Sequence, residues 1–398
     1  MENELLIFVI ALIVLTYGFF SKVLEKFNIS GPMIFMFLGV LLSPLVFGLT
    51  NLKVDETVVE IIAEISLILV LFTDASSLNI EKLRREWRLS VRLLFVGLPL
   101  TIVFATGVAI LFFAEESNLY LLLMALILAP TDAALGKAVV SDSRVAEKIR
   151  SCINVESGLN DGIVFPMFIT VLLLITSGSQ ANNSWFMFLV EQISLGFVFG
   201  AISGFIGAKV LSKAMNKNWI FDTYKNLSPV SLAILSFYIA EHFGGNGFIA
   251  AYISGLIFGN FSDVIDEKVE SFLEGQGEIL ILISFLVFGL TFIPTTYLFW
   301  DMKVFIYSLL SLTVFRMIPV ALSLSGLKLS LSTKLFIGWF GPRGIASILY
   351  IMIAIHNMGG IKGHETIFSV LTLSILLSII LHGLSARPLA ILYSKKDI

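Results

Sequence analysis

The chain of 398 residues is 57% hydrophobic and 14% charged, with a mean hydropathy of +0.95. Soluble domains carry nearer a quarter charged residues, so the composition points to a membrane protein. A formal net charge of −3 is too small to signal nucleic acid, and the single cysteine, Cys152, excludes an internal disulfide framework.

Runs of about twenty mostly apolar residues, the length that crosses hydrocarbon as a helix, recur along the chain. They are continuous rather than alternating, which favours helices over a barrel. The expected fold class is an all-α integral membrane protein with about thirteen transmembrane helices. Their approximate bounds are 5–21, 31–49, 58–78, 93–114, 119–140, 154–177, 185–211, 227–243, 247–260, 278–294, 302–326, 334–356 and 366–386. The first run follows Met1-Glu2-Asn3-Glu4 with no basic leader, so it predicts a span rather than a cleaved signal.

Basic residues mark alternate connections: Lys22 and Lys26, then Lys82 to Arg92, then Arg144, Lys148 and Arg150, then Lys209 to Lys225, then Lys328 and Lys334, and finally Lys395 and Lys396. The intervening loops are poor in Lys and Arg, so the N-terminus is expected outside and the C-terminus in the cytoplasm of a cell-membrane protein. The loop at 260–278 is acidic, and acidic residues count little in this rule.

Two spans are interrupted near their centres. The fifth contains Ala129-Pro130-Thr131-Asp132 and the twelfth contains Gly341-Pro342-Arg343-Gly344. Proline removes a helix donor and clashes with the preceding turn, so both spans are expected to unwind there. They lie an odd number of spans apart and therefore cross the bilayer in opposite senses. Broken helices in corresponding places of two halves mark an inverted-repeat transporter. The expected organisation is one transmembrane unit over 1–398, with repeats at 1–178 and 227–398 and a linker span at 179–226.

The sixth span opens on a polar string, Asn154 to Asp161, although a charge in the bilayer costs roughly 2.5–3.5 kcal/mol on insertion scales. Asn154, Ser157 and Asp161 share one helical face, and Glu156 and Asn160 form the adjacent stripe. If the fifth and sixth spans are neighbours, Asp132, Asp161, Ser157 and the carbonyl or hydroxyl of Thr131 converge. This all-oxygen set suits a hard cation such as Na+ and offers no sulfur or imidazole. The same carboxylates are candidate proton carriers, because burial and a second carboxylate both favour the neutral acid. A site filled by either ion, and never crossing unfilled, exchanges one for the other. There is no phosphate-binding loop of the Gly-x-x-x-x-Gly-Lys-Ser/Thr type to supply ATP energy.

Arg343 in the second break needs an acid partner, and Glu156 is the expected one. Arg316, beside Pro319, is a further supporting candidate. Simpler roles compete with these. Asp132 can cap the second half of the fifth span, Ser157 and Asn160 can bond neighbouring helices, and Asp74 can be a span end. Gly196, Gly200 and Gly204 repeat at four-residue spacing, which predicts close packing within or between subunits. The histidines at 356, 364 and 382 read as scattered near span ends.

Taken together, Thr131-Asp132 in a proline break, Glu156 to Asp161 in the next span and Gly341-Pro342-Arg343-Gly344 resemble the NhaP/NHE branch of the monovalent cation:proton antiporters. The resemblance implies an NhaA-like fold, a homodimer with separate core and dimerisation domains, and elevator-like alternating access. It implies ion binding by Asp161, Ser157, Asp132 and the Thr131 carbonyl, with Asp74 at the position of a third acid. It implies a supporting Glu156–Arg343 pair and a bracing hydrogen bond from Asn160. The Asn160-Asp161 pair implies one-for-one electroneutral exchange.

The expected function is secondary active Na+/H+ antiport, with K+/H+ antiport as the alternative. No cofactor is implied, and the expected partners are the lipid bilayer and a second copy of the chain. An intramembrane hydrolase with Ser157 as nucleophile lacks a credible base. A passive channel would carry net current, unlike an exchanger.

Overall fold

A computed structural model describes residues 2–48, 56–132, 135, 139, 142–177, 185–262 and 267–394. Several expectations fall outside them: most of the second half of the fifth span, the end of the second span at 49, the loop 178–184, Asp263, Asp266, Lys395 and Lys396. Among the described residues every regular element is helical. Six helices are long and apolar enough to cross a membrane, and five shorter apolar helices accompany them.

The chain begins with α1 (Glu2–Lys26), α2 (Gly31–Leu42) and α3 (Glu56–Ser76). The second run is thus shorter than expected: its helix stops at Leu42, and a turn over Ser43 to Phe47 contains Pro44. The basic stretch read as a loop is instead a helix, α4 (Ile80–Arg92). Leu89 and Leu93, four apart, are buried while Trp87 and Arg88 are exposed, so amphipathicity rather than charge content decides the local structure. A π turn at Leu93–Gly97 joins α4 to α5 (Leu98–Phe112), immediately before Pro99, which has no N–H to continue an α-helical ladder.

After α6 (Asn118–Ile127) come α7 (Glu147–Ser177), α8 (Trp185–Asn216), α9 (Asp222–His242), α10 (Gly247–Phe261) and α11 (Glu267–Thr296). The glycine stripe of α8 lies inside the subunit. A Cβ at Gly196, Gly200 or Gly204 would strike the backbone of Asn246, Ala250 or Ser254 on α10, so bare glycine lets the two backbones meet. The opposite face of α10 packs on α3, and α11 packs on α2 and α3.

The eleventh run, expected to be continuous, is two helices: α12 (Met302–Leu312) and α13 (Val314–Ser323), parted at Thr313 with φ −112° and ψ −91°. The twelfth is divided as its Gly-Pro-x-Gly sequence predicts, into α14 (Leu331–Trp339) and α15 (Ile345–Met358) with 340–344 non-helical. Helix α16 (Glu365–Ser394) closes the chain and packs on α12. His382, expected near a span end, is buried within α16, where Nδ1 meets Ser378 Oγ at 3.2 Å and the ring faces Trp339. Helices α6, α7 and α15 are mutual neighbours, and α13 lies against α5 and α14.

Candidate functional site

The non-helical stretch that follows α6 meets the one between α14 and α15. The Asp132 N–H donates to Pro342 O at 2.8 Å, joining one break to the other through backbone alone. Each break then lends a charged side chain to the other. Asp132 Oδ2 accepts the Ile345 N–H at 2.9 Å, at the start of α15. Arg343 Nη1 donates to the carbonyls of Ala129 and Pro130, both at 3.1 Å, just beyond the end of α6. A helix N-terminus presents unpaired N–H groups and positive potential, and a C-terminus presents the reverse. An acid at the first and an arginine at the second therefore complement both ends. Asp132 is thus a cap, as one reading of its position proposed, but on the other broken span.

Glycine makes this crossing possible. A Cβ on Gly344 would overlap the Asp132 carboxylate, and one on Gly341 would overlap the Arg316 guanidinium. The Arg343 backbone N–H is held by Ser378 Oγ at 2.6 Å, and Ser347 Oγ donates to Ile127 O at 2.8 Å.

The expected Glu156–Arg343 pair is not the one formed. Glu156 is bidentate with Arg316, Nη1 to Oε1 and Nη2 to Oε2 both at 2.8 Å. The two side chains are 2% and 3% exposed. The physical reason lies in the division of labour between the arginines. The Arg343 guanidinium is committed to the carbonyls that the α6 break exposes. The separate helix α13 carries Arg316 past Gly341 to the free acid on α7. Fork-to-fork geometry is the strongest arrangement for such a pair.

The oxygens gather one helical turn further along α7. Asn160 Nδ2 donates to Thr131 Oγ1 at 2.7 Å, and Thr131 Oγ1 lies 3.1 Å from Ser157 Oγ. Thr131, Asp132, Ser157, Asn160 and Asp161 are all buried. Asp161 Oδ1, Asn160 Oδ1 and Asn154 Oδ1 have no hydrogen-bond partner among the described residues. The carboxylates whose charges bear on Asp161 are Asp132 and Glu156. The Asp74 carboxylate, half-buried on α3, bears instead on the Tyr252 hydroxyl. Tyr252 in turn covers Gly158, where a Cβ would strike its ring.

With this geometry in place, the comparisons with known proteins are decisive about kinship. The family model described as sodium/hydrogen exchanger, transmembrane, matches residues 8–392. The chain belongs to the sodium/hydrogen exchanger family. It is 26% identical over 321 residues to a Na(+)/H(+) antiporter of Schizosaccharomyces pombe, covering 72% of this chain and 67% of that protein. It is 24% identical over 332 residues to the K(+)/H(+) antiporter NhaP of Alkalimonas amylolytica, covering 83% and 57%. The chain thus spans between about half and two thirds of the length of the curated relatives it matches. Its fold is that of the sodium proton antiporter MjNhaP1 from Methanocaldococcus jannaschii, with a TM-score of 0.80 at 22% identity over 99% of this chain and 100% of that one.

Two features of this sodium/hydrogen exchanger site escaped the sequence reading. Tyr350 Oη donates to the Asp161 backbone carbonyl at 2.7 Å, and its ring stacks on Phe168 at 4.8 Å between centroids. With Ser347 three residues earlier it presents two hydroxyls from α15, on the side facing α6 and α7. The available signal was the pair itself: hydroxyls three apart, directly after a Gly-Pro-x-Gly break, lie on one helical face.

Proposed function

We propose that the chain is a secondary antiporter in which Na+ and H+ compete for one site centred on Asp161, with Asp132, Ser157 and Thr131 as the other contributors. The observation that carries this reading is the Asp161 carboxylate, 3% exposed, with an oxygen unmatched among the described residues and the charge of a second buried acid, Asp132, acting on it. A buried carboxylate without a counter-ion is costly, and a monovalent cation or a proton removes the cost equally. Oxygen donors from hydroxyl, amide and carboxylate suit a hard ion. Asn160 braces the Thr131 break, while the Glu156–Arg316 pair and Arg343 hold the half-helices and carry no ion.

In this proposal the chain has thirteen spans in two inverted repeats, 1–178 and 227–398, about a linker at 179–226. The N-terminus is outside, the C-terminus is cytoplasmic, and the working unit is a homodimer in the cell membrane that serves pH homeostasis. Asp74, whose charge bears on the Tyr252 hydroxyl, is proposed as a third acid of the site. K+/H+ exchange is the second reading, favoured by the names of relatives such as NhaP of Alkalimonas amylolytica and NhaP2 of Shewanella baltica.

Dye-reported exchange in proteoliposomes, with Na+, Li+ and K+ supplied in turn, tests both. The expected result is cation-driven proton movement by the wild type and none by Asp161→Asn, whose purified form keeps the wild-type elution profile. Robust exchange by Asp161→Asn sinks the proposed site. Response to K+ alone replaces Na+ with K+ as the cargo.

A further inference from the structure

A second cluster of charge lies outside these residues, at the end of the bundle that carries the basic connections. Arg88 on α4, Lys148 in the first turn of α7 and Lys328 in the turn before α14 line a cavity of about 430 Å3. Three segments far apart in sequence supply these cations, and no carboxylate lines the cavity among the described residues. None of the three side chains has an ion pair or hydrogen bond among the described residues. Lys148 also sits where the α7 dipole is positive, a position that favours an anion over a cation. The wall is held in place: Arg92, one turn beyond Arg88, donates to the carbonyls of Ser323 and Ser325 and ties that turn to α4.

The same cavity has an apolar side. Leu327 and Leu329 line it and pack on a buried cluster that includes Leu89 and Leu93. Trp87, 53% exposed, is the first residue of the apolar span Trp87–Phe112. A tryptophan at such a place marks the membrane–water boundary. A cationic rim and a leucine floor at that boundary match an amphipathic anion, and the volume lies within the range of small-ligand sites.

We propose that this cavity binds the phosphate headgroup of an anionic phospholipid, with Arg88, Lys148 and Lys328 on the phosphate and Leu327 and Leu329 against the first methylenes of its acyl chains. Bound in this way, the lipid bridges α4, α7 and the turn between α13 and α14. Apolar contact is what separates a lipid from free phosphate, since the latter uses only the rim.

Native mass spectrometry of the full chain in detergent tests it, with dioleoyl phosphatidylglycerol as probe and dioleoyl phosphatidylcholine as the neutral arm. One phosphatidylglycerol is expected to stay bound at concentrations where phosphatidylcholine does not. The triple variant Arg88→Gln/Lys148→Gln/Lys328→Gln is expected to bind it at least about tenfold more weakly, each basic group near a membrane surface contributing to anionic-lipid attraction. Lys22→Gln/Lys26→Gln/Lys213→Gln, with the same charge change elsewhere, retains it. The single variant Lys148→Gln, expected to bind a few-fold more weakly, serves if the triple variant does not fold. Equal retention by the cavity variants and the control overturns the proposal. Displacement of the lipid by millimolar inorganic phosphate overturns the lipid assignment.

Discussion

Asp132 accepts the Ile345 N–H with Oδ2 and its charge acts on Asp161, so one side chain serves a helix terminus and the candidate ion site together. Substitution separates the two. Asparagine keeps a carbonyl oxygen for the cap and loses the charge, whereas alanine loses both. Asp132→Asn is therefore expected to melt close to the wild type and to exchange poorly. Asp132→Ala is expected to lose a further ~1–3 kcal/mol, the usual cost of stranding a buried donor. Equal melting of the two in detergent would remove the capping role. Gly344→Ala tests the same contact from the other side, because its Cβ needs the space of the Asp132 carboxylate. It is expected to depress exchange as strongly as Asp132→Asn does. The Glu156–Arg316 pair belongs to this scale too. Arg316→Ala leaves a buried acid without its counter-charge, at a cost of about 3–5 kcal/mol. Glu156→Gln in the Arg316→Ala background should recover part of that loss, and a double-mutant cycle on thermal melting measures the coupling.

At the scale of elements, legibility depended on whether a local residue type forces the backbone. Pro130, Gly341, Pro342 and Gly344 force theirs, and both breaks are visible in the sequence. Thr313 forces nothing, and the division of α12 from α13 left no sign in the sequence. That division delivers Arg316 to Glu156, which explains why the partner of Glu156 was misassigned: the right arginine hung on a break that no proline or glycine announces. The cap by Asp132 was legible as chemistry but not as address, since a helix terminus in need of an acid can accept one from another helix. The helix α4 was hidden by its charge, because its apolar residues recur at helical spacing within a strongly basic stretch. The glycine stripe of α8 was legible as packing and silent about its partner. Placing a side chain there measures the answer. Gly200→Leu is expected to push α8 from α10 and lower the melting temperature sharply, because the nearest atoms are the Ala250 backbone, which cannot rotate away. An unchanged melt would mean that the stripe does not face α10.

At the scale of the whole molecule, the buried charges can be summed. Among the described residues the buried acids are Asp132, Glu156 and Asp161, and the buried cationic side chains are Arg316 and Arg343. Three acids against two arginines leave −1. One monovalent cation brings that sum to zero, and so does one proton. Crossing low-dielectric material is cheapest for a neutral unit, so under the proposed shared site the two loaded forms are expected to cross more easily than the unloaded form. With all three acids ionised when unloaded, this sum is what the proposed one-for-one exchange requires. It makes two predictions for reconstituted protein. Exchange is expected to proceed at the same rate with the membrane potential clamped at zero or imposed in either direction. A sustained current that follows the Na+ gradient would show that the sum is wrong. If Na+ and H+ compete for one site, as proposed, the apparent KM for Na+ should rise as pH falls, approaching tenfold per unit once protons dominate the site, as mass action at a shared site requires. A KM for Na+ that stays flat while the rate collapses in acid would place the proton on a different group from the cation, and Asp161 would then be the site of only one of them.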